Sequence, residues 1–251
     1  RIARFFCLAA GKKMRPCGLR FSCGILAGMK NPFSPFLLRW WQRAAMNNLV
    51  LQKYLKAEEY FRKIEAVQPN RFGLGHSLAL VCLAQERFEE AEKYFLNELE
   101  RYGETFMRFK SLGDLYYIWN RREPCREYYE KALPFCEQEA DRRQLAHRIA
   151  LCGSGESFDR AMKSLRLLKD GNKKMQEKEF DSAYELLKES AETDVCNFQA
   201  LNNLGALEMN VKKNIAGAVK YFEKAAYYTS LVGIHGNLKR ARDLLAKESG
   251  K

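Results

Sequence analysis

The sequence predicts an all-α protein built from stacked helix pairs, and three observations lead to this prediction. A short cassette recurs at a fixed interval: its small residue is Ala57, then Ala91, then Cys125, and the two spacings are equal. We call this spacing the repeat interval. Proline is scarce, which suits helices, and the apolar fraction of 47% is ample for a continuous core. A fixed period of roughly 20–50 residues indicates a repeat architecture.

Each cassette is predicted to form the second helix of a pair. An aromatic residue follows the small residue by four positions, at Phe61, Phe95 and Tyr129, so both side chains share one helix face. Gly113 and Cys125 leave room for two helices of the third pair to approach closely, and the aromatic residues fill the space between neighbouring pairs. The cassettes are KYLKAEEYF (residues 53–61), ERFEEAEKYF (86–95) and RREPCREYYEKAL (121–133).

The predicted units follow from these cassettes. Three units occupy residues 38–139, divided as 38–71, 72–105 and 106–139. The period then breaks, and residues 140–163 are predicted to form a degenerate helical joint between two arms. Two further units occupy residues 164–233, divided as 164–198 and 199–233, and the last carries one extra residue between its helices. Residues 234–251 are predicted to form a capping helix and tail, because this segment is amphipathic with a polar far side.

The chain resembles the tetratricopeptide repeat (TPR) family over roughly residues 38–246, and its repeat interval matches the family's period of about 34 residues. The third unit supplies most of the family's pattern but has Glu137 in place of the proline, and the first and second units depart from the pattern at Asn48, Glu98 and Gly103. The resemblance implies a right-handed superhelical solenoid of helix pairs with a C-terminal capping helix. The matching residues are Trp41, Ala57, Phe61 and Pro69 in the first unit, Leu78, Ala91 and Phe95 in the second, and Phe109, Leu112, Gly113, Tyr116, Tyr129 and Ala132 in the third.

The same resemblance implies a concave groove lined by the first helix of each pair, a shape that suits an extended peptide or a partner helix. LLKDGNKKM (residues 167–175) is similar to the opening of TPR co-chaperones that hold a carboxy-terminal carboxylate. Asn172 and Asn203 match that pattern, but Lys169 is three residues before Asn172 where four are expected, so an ordinary solvated face is the favoured interpretation. The residues expected to line the groove are Gln42, Arg43, His76, Lys110, Asp114, Tyr117, Lys169, Asn172, Asn202 and Asn203.

The positive charge lies at the amino end. Eleven basic residues precede Glu58, the first acidic residue, and they account for nearly all of the net charge of +12. Residues 1–37 are therefore a basic segment of a different character from the repeats. Three interpretations stay open: a translated leader or disordered tail, a signal or membrane-surface segment, and an integral part of the fold. No apolar run reaches the ~18–20 residues that a spanning helix needs.

The sequence contains no pattern that indicates catalysis or a metal site. None of the 8 cysteines forms a Cys-x-x-Cys pair, and we interpret them as free thiols of a reducing compartment, with a disulfide framework as the alternative. The three histidines fall on separate units, and no phosphate-binding glycine loop or nucleophile elbow occurs. We therefore expect no cofactor and no metal.

We predict a non-catalytic scaffold or adaptor that binds another protein in the groove. The alternative is binding to nucleic acid or to an anionic membrane surface through the basic amino end. A near-neutral repeat body argues against nucleic acid as the main partner. The predicted location is cytoplasmic; a membrane-attached or exported protein is the alternative if residues 1–28 are a signal.

Overall fold

The computed structural model describes residues 35–249, and every regular element in this range is a helix, so the all-α prediction is confirmed. Residues 1–34, which contain most of the predicted basic segment, lie outside the described residues, as do residues 250 and 251. The first half of the range contains α1 (Pro35–Val50), α2 (Tyr54–Val67), α3 (Leu74–Ala84), α4 (Phe88–Tyr102), α5 (Phe106–Ile118), α6 (Arg122–Ala132) and a short 3₁₀ helix (Leu133–Phe135). The second half contains α7 (Glu139–Leu151), α8 (Gly155–Glu177), α9 (Phe180–Thr193), α10 (Phe198–Asn210), α11 (Ile215–Tyr227) and α12 (Val232–Ser249).

The period of the sequence reappears in the helix boundaries. The second helices of the first three pairs begin at Tyr54, Phe88 and Arg122, which are again separated by the repeat interval. In the last two pairs the second helices begin at Phe180 and Ile215, one residue further apart than that interval. The difference is the extra residue that the sequence places between α10 and α11.

A recurring backbone turn separates the two helices of each of four pairs. Gln52, Glu86, Asn120 and Lys178 each have a positive φ close to 60°, in the left-handed region. The amide of each of these residues bonds to the carbonyl three positions earlier, and the next amide bonds to the carbonyl five positions earlier. This is the hydrogen-bond pattern of a Schellman motif, which ends a helix and reverses the chain. The turn therefore repeats although no glycine occupies it.

The chain divides into two compact units, residues 1–94 and residues 95–251. The division lies inside α4, whereas the sequence placed the interruption at residues 140–163. The described core of the first unit is formed by α1, α2 and α3. Phe61 and Ile64 of α2 are almost fully buried there, in the same cluster as the small side chain of Ala45 on α1.

In the second unit, glycines of the first helices lie directly against large side chains of the second helices. A Cβ atom built on Gly113 would lie 2.4 Å from Cδ1 of Tyr129. One built on Gly171 would lie 2.8 Å from Leu187, and one on Gly205 would lie 2.7 Å from Phe222. The spacing from glycine to partner is nearly the same in all three pairs, so one close approach recurs. This agrees with the close approach predicted at Gly113, whereas Tyr129, predicted to fill the space between neighbouring pairs, lies against the glycine of its own pair.

The segment predicted as a degenerate joint contains the ordered helix α7 and the start of α8. Ser154 caps α8, since its Oγ accepts a hydrogen bond from the amide of Ser157 at 3.2 Å. The first helix of the fourth pair thus begins at Gly155, well before the predicted boundary at residue 164. The capping segment forms α12, which buries Leu238 and Ala241 in a core that it shares with α11.

Helix α7 is bound to later parts of the second unit by polar contacts. The Arg143 guanidinium donates a hydrogen bond to the carbonyl of Tyr227 at 3.1 Å. Asp141 accepts hydrogen bonds from the amide and the hydroxyl of Ser230. These contacts join parts of the chain that are distant in the sequence, which is why the helix after the third repeat belongs to the same compact unit as the fourth and fifth.

Candidate partner-binding site

Three of the predicted groove residues lie in the first unit. Gln42 and Arg43 are exposed on α1, and His76 is half-buried on α3. The Gln42 carbonyl oxygen accepts a hydrogen bond from the Arg71 guanidinium at 2.7 Å. Gln42 is therefore engaged with the loop that precedes α3. Polar groups that are accessible on first helices are compatible with the predicted groove.

Lys110 and Asp114 are engaged with each other on α5 of the second unit. The Lys110 ammonium lies 2.7 Å from Asp114 Oδ2, and the two side chains are only 15% and 17% exposed. The Tyr129 hydroxyl donates a hydrogen bond to Asp114 Oδ1 at 2.7 Å. Asp114 thus uses both oxygens inside the protein, and its first role is to hold Tyr129 in place behind Gly113.

Tyr117 is a packing residue, which corrects its predicted place in the groove lining. Its side chain is buried, with 5% of the residue exposed, and its hydroxyl donates a hydrogen bond to the carbonyl of Ala161 at 3.4 Å. The guanidinium carbon of Arg148 lies 3.9 Å from the centre of the Tyr117 ring. The periodicity places Tyr117 on the first helix, but α7 and α8 cover it.

A buried ion pair joins α7 to the turn between α9 and α10. Arg148 donates to Asp194 Oδ2 at 3.1 Å, and the Asp194 side chain is fully buried. His147 Nε2 lies 2.9 Å from Asp194 Oδ1, and the amide of Cys196 donates to the same oxygen at 3.0 Å. Burial alone would raise the pKa of Asp194, but Arg148, His147 and the Cys196 amide outweigh it and hold that pKa below its ordinary value. Sequence reasoning missed this cluster, because its members share no motif or spacing.

The predicted asparagines form a continuous chain of side-chain amides across α8, α10 and α12. Asn203 of α10 donates to Asn172 Oδ1 of α8 at 2.7 Å. Asn202 donates to Asn203 Oδ1 at 3.4 Å, and Asn237 of α12 donates to Asn202 Oδ1 at 2.9 Å. All four residues are half-buried, so part of each remains open to solvent. We call Asn172, Asn202, Asn203 and Asn237 the amide row.

Asn237 is the member of the amide row that sequence reasoning missed. It follows Asn203 by one repeat interval, so the period itself could have found it. Lys169 is exposed on α8, one turn before Asn172. The two asparagines that match the carboxylate-holding pattern are hydrogen-bonded to each other. Part of the hydrogen-bonding capacity of these two amides is therefore already used within the protein.

A cleft of about 530 Å³ is formed mainly by the second helices α9 and α11. Leu201 and Leu204 of α10 contribute apolar surface to it, and tyrosines and charged side chains of α9 and α11 supply much of the rest. The sequence analysis did not predict this cleft. Its other lining residues are Lys188, Ala191, Glu192, Val195, Tyr221, Glu223, Lys224, Tyr227 and Tyr228.

The described part of the chain contains neither a cluster of metal-binding side chains nor a helix that could cross a membrane. Within residues 35–249, no group of three or more histidine, cysteine, aspartate or glutamate side chains could hold a metal ion. None of the helices in that range combines the length and the apolar character that crossing a membrane requires.

No protein-family model and no curated protein matches this sequence. Similar folds occur among solved structures. The APC/C hetero-tetramer Cut9–Hcn1 aligns with a TM-score of 0.45 and 14% identity, covering 81% of this chain and 42% of that one, so this chain spans less than half its length. The TPR2AB domain of yeast Sti1, in complex with pHSP90, aligns with a TM-score of 0.42 and 12% identity, covering 86% and 87%. YrrB, a TPR protein with an unusual peptide-binding site, aligns with a TM-score of 0.39 and 16% identity, covering 80% and 90%.

The helix pairs of this chain share three features. The first three second helices begin at the repeat interval, the same turn closes the first helix in four pairs, and small residues contact large ones between paired helices. The chain therefore has the helix-pair repeat fold of tetratricopeptide proteins.

Proposed function

We propose that this chain is a non-catalytic adaptor that binds an extended segment of another protein along the amide row of α8, α10 and α12. The observation that supports the proposal is the hydrogen-bonded chain from Asn172 through Asn203 and Asn202 to Asn237. Helices α8 and α10 are first helices of successive pairs, and α12 takes the next first-helix place. The TPR resemblance assigns this position to the groove.

The chemistry of primary amides fits a peptide backbone. Each asparagine amide has two N–H donors and two acceptor positions on its oxygen, and the bonds within the row use only part of this capacity. An extended peptide presents backbone N–H and C=O groups at a rise of about 3.3 Å per residue. The bonds within the row fix the orientation of each amide before a partner arrives, which reduces the entropy lost on binding.

Basic side chains near the row supply selectivity. Lys169 lies three residues before Asn172 on α8, and Arg240 lies three residues after Asn237 on α12, so each shares a helix face with a member of the row. Both residues are exposed. A partner segment with acidic side chains at its two ends is therefore preferred over a basic one.

The second unit contains one histidine–carboxylate contact, and we interpret it as structural, in keeping with the proposed non-catalytic role. His147 and Asp194 are within hydrogen-bond distance, as in many catalytic sites, but no hydroxyl or thiol of residues 35–249 bonds to His147. Asp194 also pairs with the buried Arg148. The geometry thus serves the packing of α7.

Peptide binding to the full chain tests the proposal. A short peptide selected from a random display library is labelled, and its affinity is measured by fluorescence anisotropy. Replacing Asn172 and Asn203 together by alanine should weaken binding about 5- to 150-fold, because two hydrogen bonds of roughly 0.5–1.5 kcal/mol each are lost. Methylation of single backbone nitrogens of the peptide should also lower its affinity.

The matched control is Asn210→Ala. Asn210 is an exposed asparagine of α10 whose amide donates to the carbonyl of Ala206, outside the amide row. This variant should bind the peptide like the wild type. Unchanged binding by the double variant, with helicity confirmed by circular dichroism, would show that the row is not the site.

Binding of nucleic acid or an anionic membrane surface through the basic amino-terminal segment stays a prediction. Seven of the eleven basic residues that precede Glu58 lie in residues 1–34, outside the described residues. Binding of nucleic acid or anionic vesicles through this segment should fall steeply between low and moderate salt and should disappear on deletion of residues 1–37.

A further inference from the structure

Two buried thiols lie in contact across the boundary between α6 and α7. Cys125 is on α6, and Cys152 is the capping residue directly after the last residue of α7. Their Sγ atoms are 3.5 Å apart, although the residues are separated by 27 positions. Both are free cysteines. In the described residues this is the only contact between two cysteine sulfurs, and it is unrelated to the amide row.

The surroundings of the two thiols differ. Cys125 is completely buried and occupies the position that Ala57 and Ala91 hold in the other cassettes. Cys152 is 2% exposed, but Gly153 and Ser154, which follow it, are exposed. Because these two residues are exposed, a local opening at the end of α7 would be enough to admit a small solute to Cys152, without separation of the helix pair.

The charges near Cys152 favour its thiolate. Contact with the Cys125 thiol, which can donate a hydrogen bond to a thiolate, lowers the pKa of Cys152, while burial opposes this effect. Arg148, Arg122 and Arg126 lower it further. Burial and the neighbouring sulfur raise the pKa of Cys125. One thiol of the pair is thus suited to react first and the other to react second.

We propose that Cys125 and Cys152 form a peroxide-sensitive dithiol site that closes to an intramolecular disulfide. The Cys152 thiolate attacks one oxygen of hydrogen peroxide, which breaks the O–O bond and gives a sulfenic acid and hydroxide. The Cys125 sulfur then attacks the sulfenic sulfur, and the S–O bond breaks as the disulfide forms. The Cys125 proton and the proton first released from Cys152 convert the two hydroxides to water, so two thiols and one peroxide give one disulfide and two waters.

The disulfide would constrain the helix that carries the buried ion pair. Closing the S–S distance from 3.5 Å to the ~2.05 Å of a disulfide requires the two sulfurs to approach by about 1.5 Å. A bond there ties α7 to α6 at one end, while Arg148 and Arg143 hold α7 to later parts of the unit. Oxidation should therefore make α7 harder to detach and raise the midpoint of thermal unfolding.

Peptide mapping of the oxidised full chain tests the proposal. The reduced protein is treated with hydrogen peroxide, alkylated, digested and analysed by mass spectrometry without reductant. The expected result is a linked pair of peptides containing Cys125 and Cys152 and the loss of these two thiols before Cys82 and Cys196. The latter two are matched controls, because each is fully buried and has no sulfur partner among the described residues.

A single variant separates the two steps. Cys125→Ala restores the residue found at the equivalent positions of the first two cassettes, so the fold should tolerate it. In this variant the sulfenic acid at Cys152 has no neighbouring thiol to condense with, so the share of oxidised Cys152 that dimedone traps should increase relative to the wild type. The proposal is overturned if both thiols of the wild type stay reduced as long as Cys196 does, or if peroxide links either one mainly to another cysteine.

Discussion

The close approach of α5 and α6 at Gly113 gives the sharpest test of the packing. In Gly113→Ala, the new Cβ would lie 2.4 Å from Cδ1 and 2.6 Å from Cε1 of Tyr129. Carbon atoms in favourable contact are about 3.5–4.0 Å apart, so the overlap is about 1 Å. Tyr129 is 1% exposed and its hydroxyl is bonded to Asp114, so the ring has little freedom to move away.

The expected magnitude follows from two opposing contributions. Overpacking of a well-filled core costs about 1–3 kcal/mol. Alanine favours a helix interior over glycine by about 1 kcal/mol. Gly113→Ala should therefore lower the free energy of unfolding by up to about 2 kcal/mol, and Gly113→Leu by at least as much.

Gly236→Ala is the matched control. Gly236 lies in α12, and a Cβ atom built there meets nothing within 4 Å. This variant should gain the helix contribution alone, about 1 kcal/mol. The difference between the two variants then isolates the steric cost of the contact between α5 and α6, because the helix contribution is common to both.

Urea unfolding followed by circular dichroism measures both variants against the wild type. We expect midpoint shifts that differ in sign or, at the smallest overpacking cost, a clear gain for Gly236→Ala and none for Gly113→Ala. If both variants were stabilised equally, the close contact between Gly113 and Tyr129 would be refuted.

Three further predictions concern charges and the repeated turn. Asp194→Asn should lower stability at neutral pH by roughly 3–5 kcal/mol, because it leaves the buried Arg148 without its counter-charge. The pKa of Asp194 is lower in the folded protein than its ordinary value near 4, so ionised Asp194 contributes stability above pH 4, and this contribution is lost as the pH falls through the folded pKa. In urea unfolding, acidification should therefore lower the stability of the wild type more than that of Asp194→Asn. Lys178→Gly should raise stability by up to about 1 kcal/mol in thermal unfolding, because Lys178 has a φ of 64° and glycine adopts this conformation without strain. A loss of stability would contradict the inference that the backbone of Lys178 is strained. Lys169→Glu should weaken binding of an acidic peptide several-fold with helicity unchanged, and equal binding would count against the basic surface beside the amide row.

The backbone conformation of the repeated turns could not be predicted from the local sequence. The sequence indicates that a turn follows each first helix, but glycine, the usual residue for the left-handed position that ends a helix, is absent at Gln52, Glu86 and Lys178. The second helix must return onto the first for the small and large side chains to pack. Packing of the pair therefore imposes the left-handed conformation on residues that do not prefer it.

The amide row was only partly predictable. Asn172, Asn202 and Asn203 follow from their positions on first helices, and Asn237 could have been found from the repeat interval. That the four amides bond to one another depends on the stacking of α8, α10 and α12, since these helices are separated along the chain by α9 and α11. Tyr117 shows the converse: its periodicity fits the groove, but neighbouring helices bury it.

The sequence by itself determined the helix pairs, their period, the extra residue before α11 and the close approach of the paired helices at Gly113. These features depend on the one-turn spacing within a helix and on the repeat interval between units, both of which can be read along the chain. Only the tertiary structure decided that α7 belongs with the later repeats, that Arg148 meets Asp194 and that Cys125 meets Cys152. The physical reason is that such contacts arise where three or more helices pack together, and no fixed spacing in the sequence encodes that meeting.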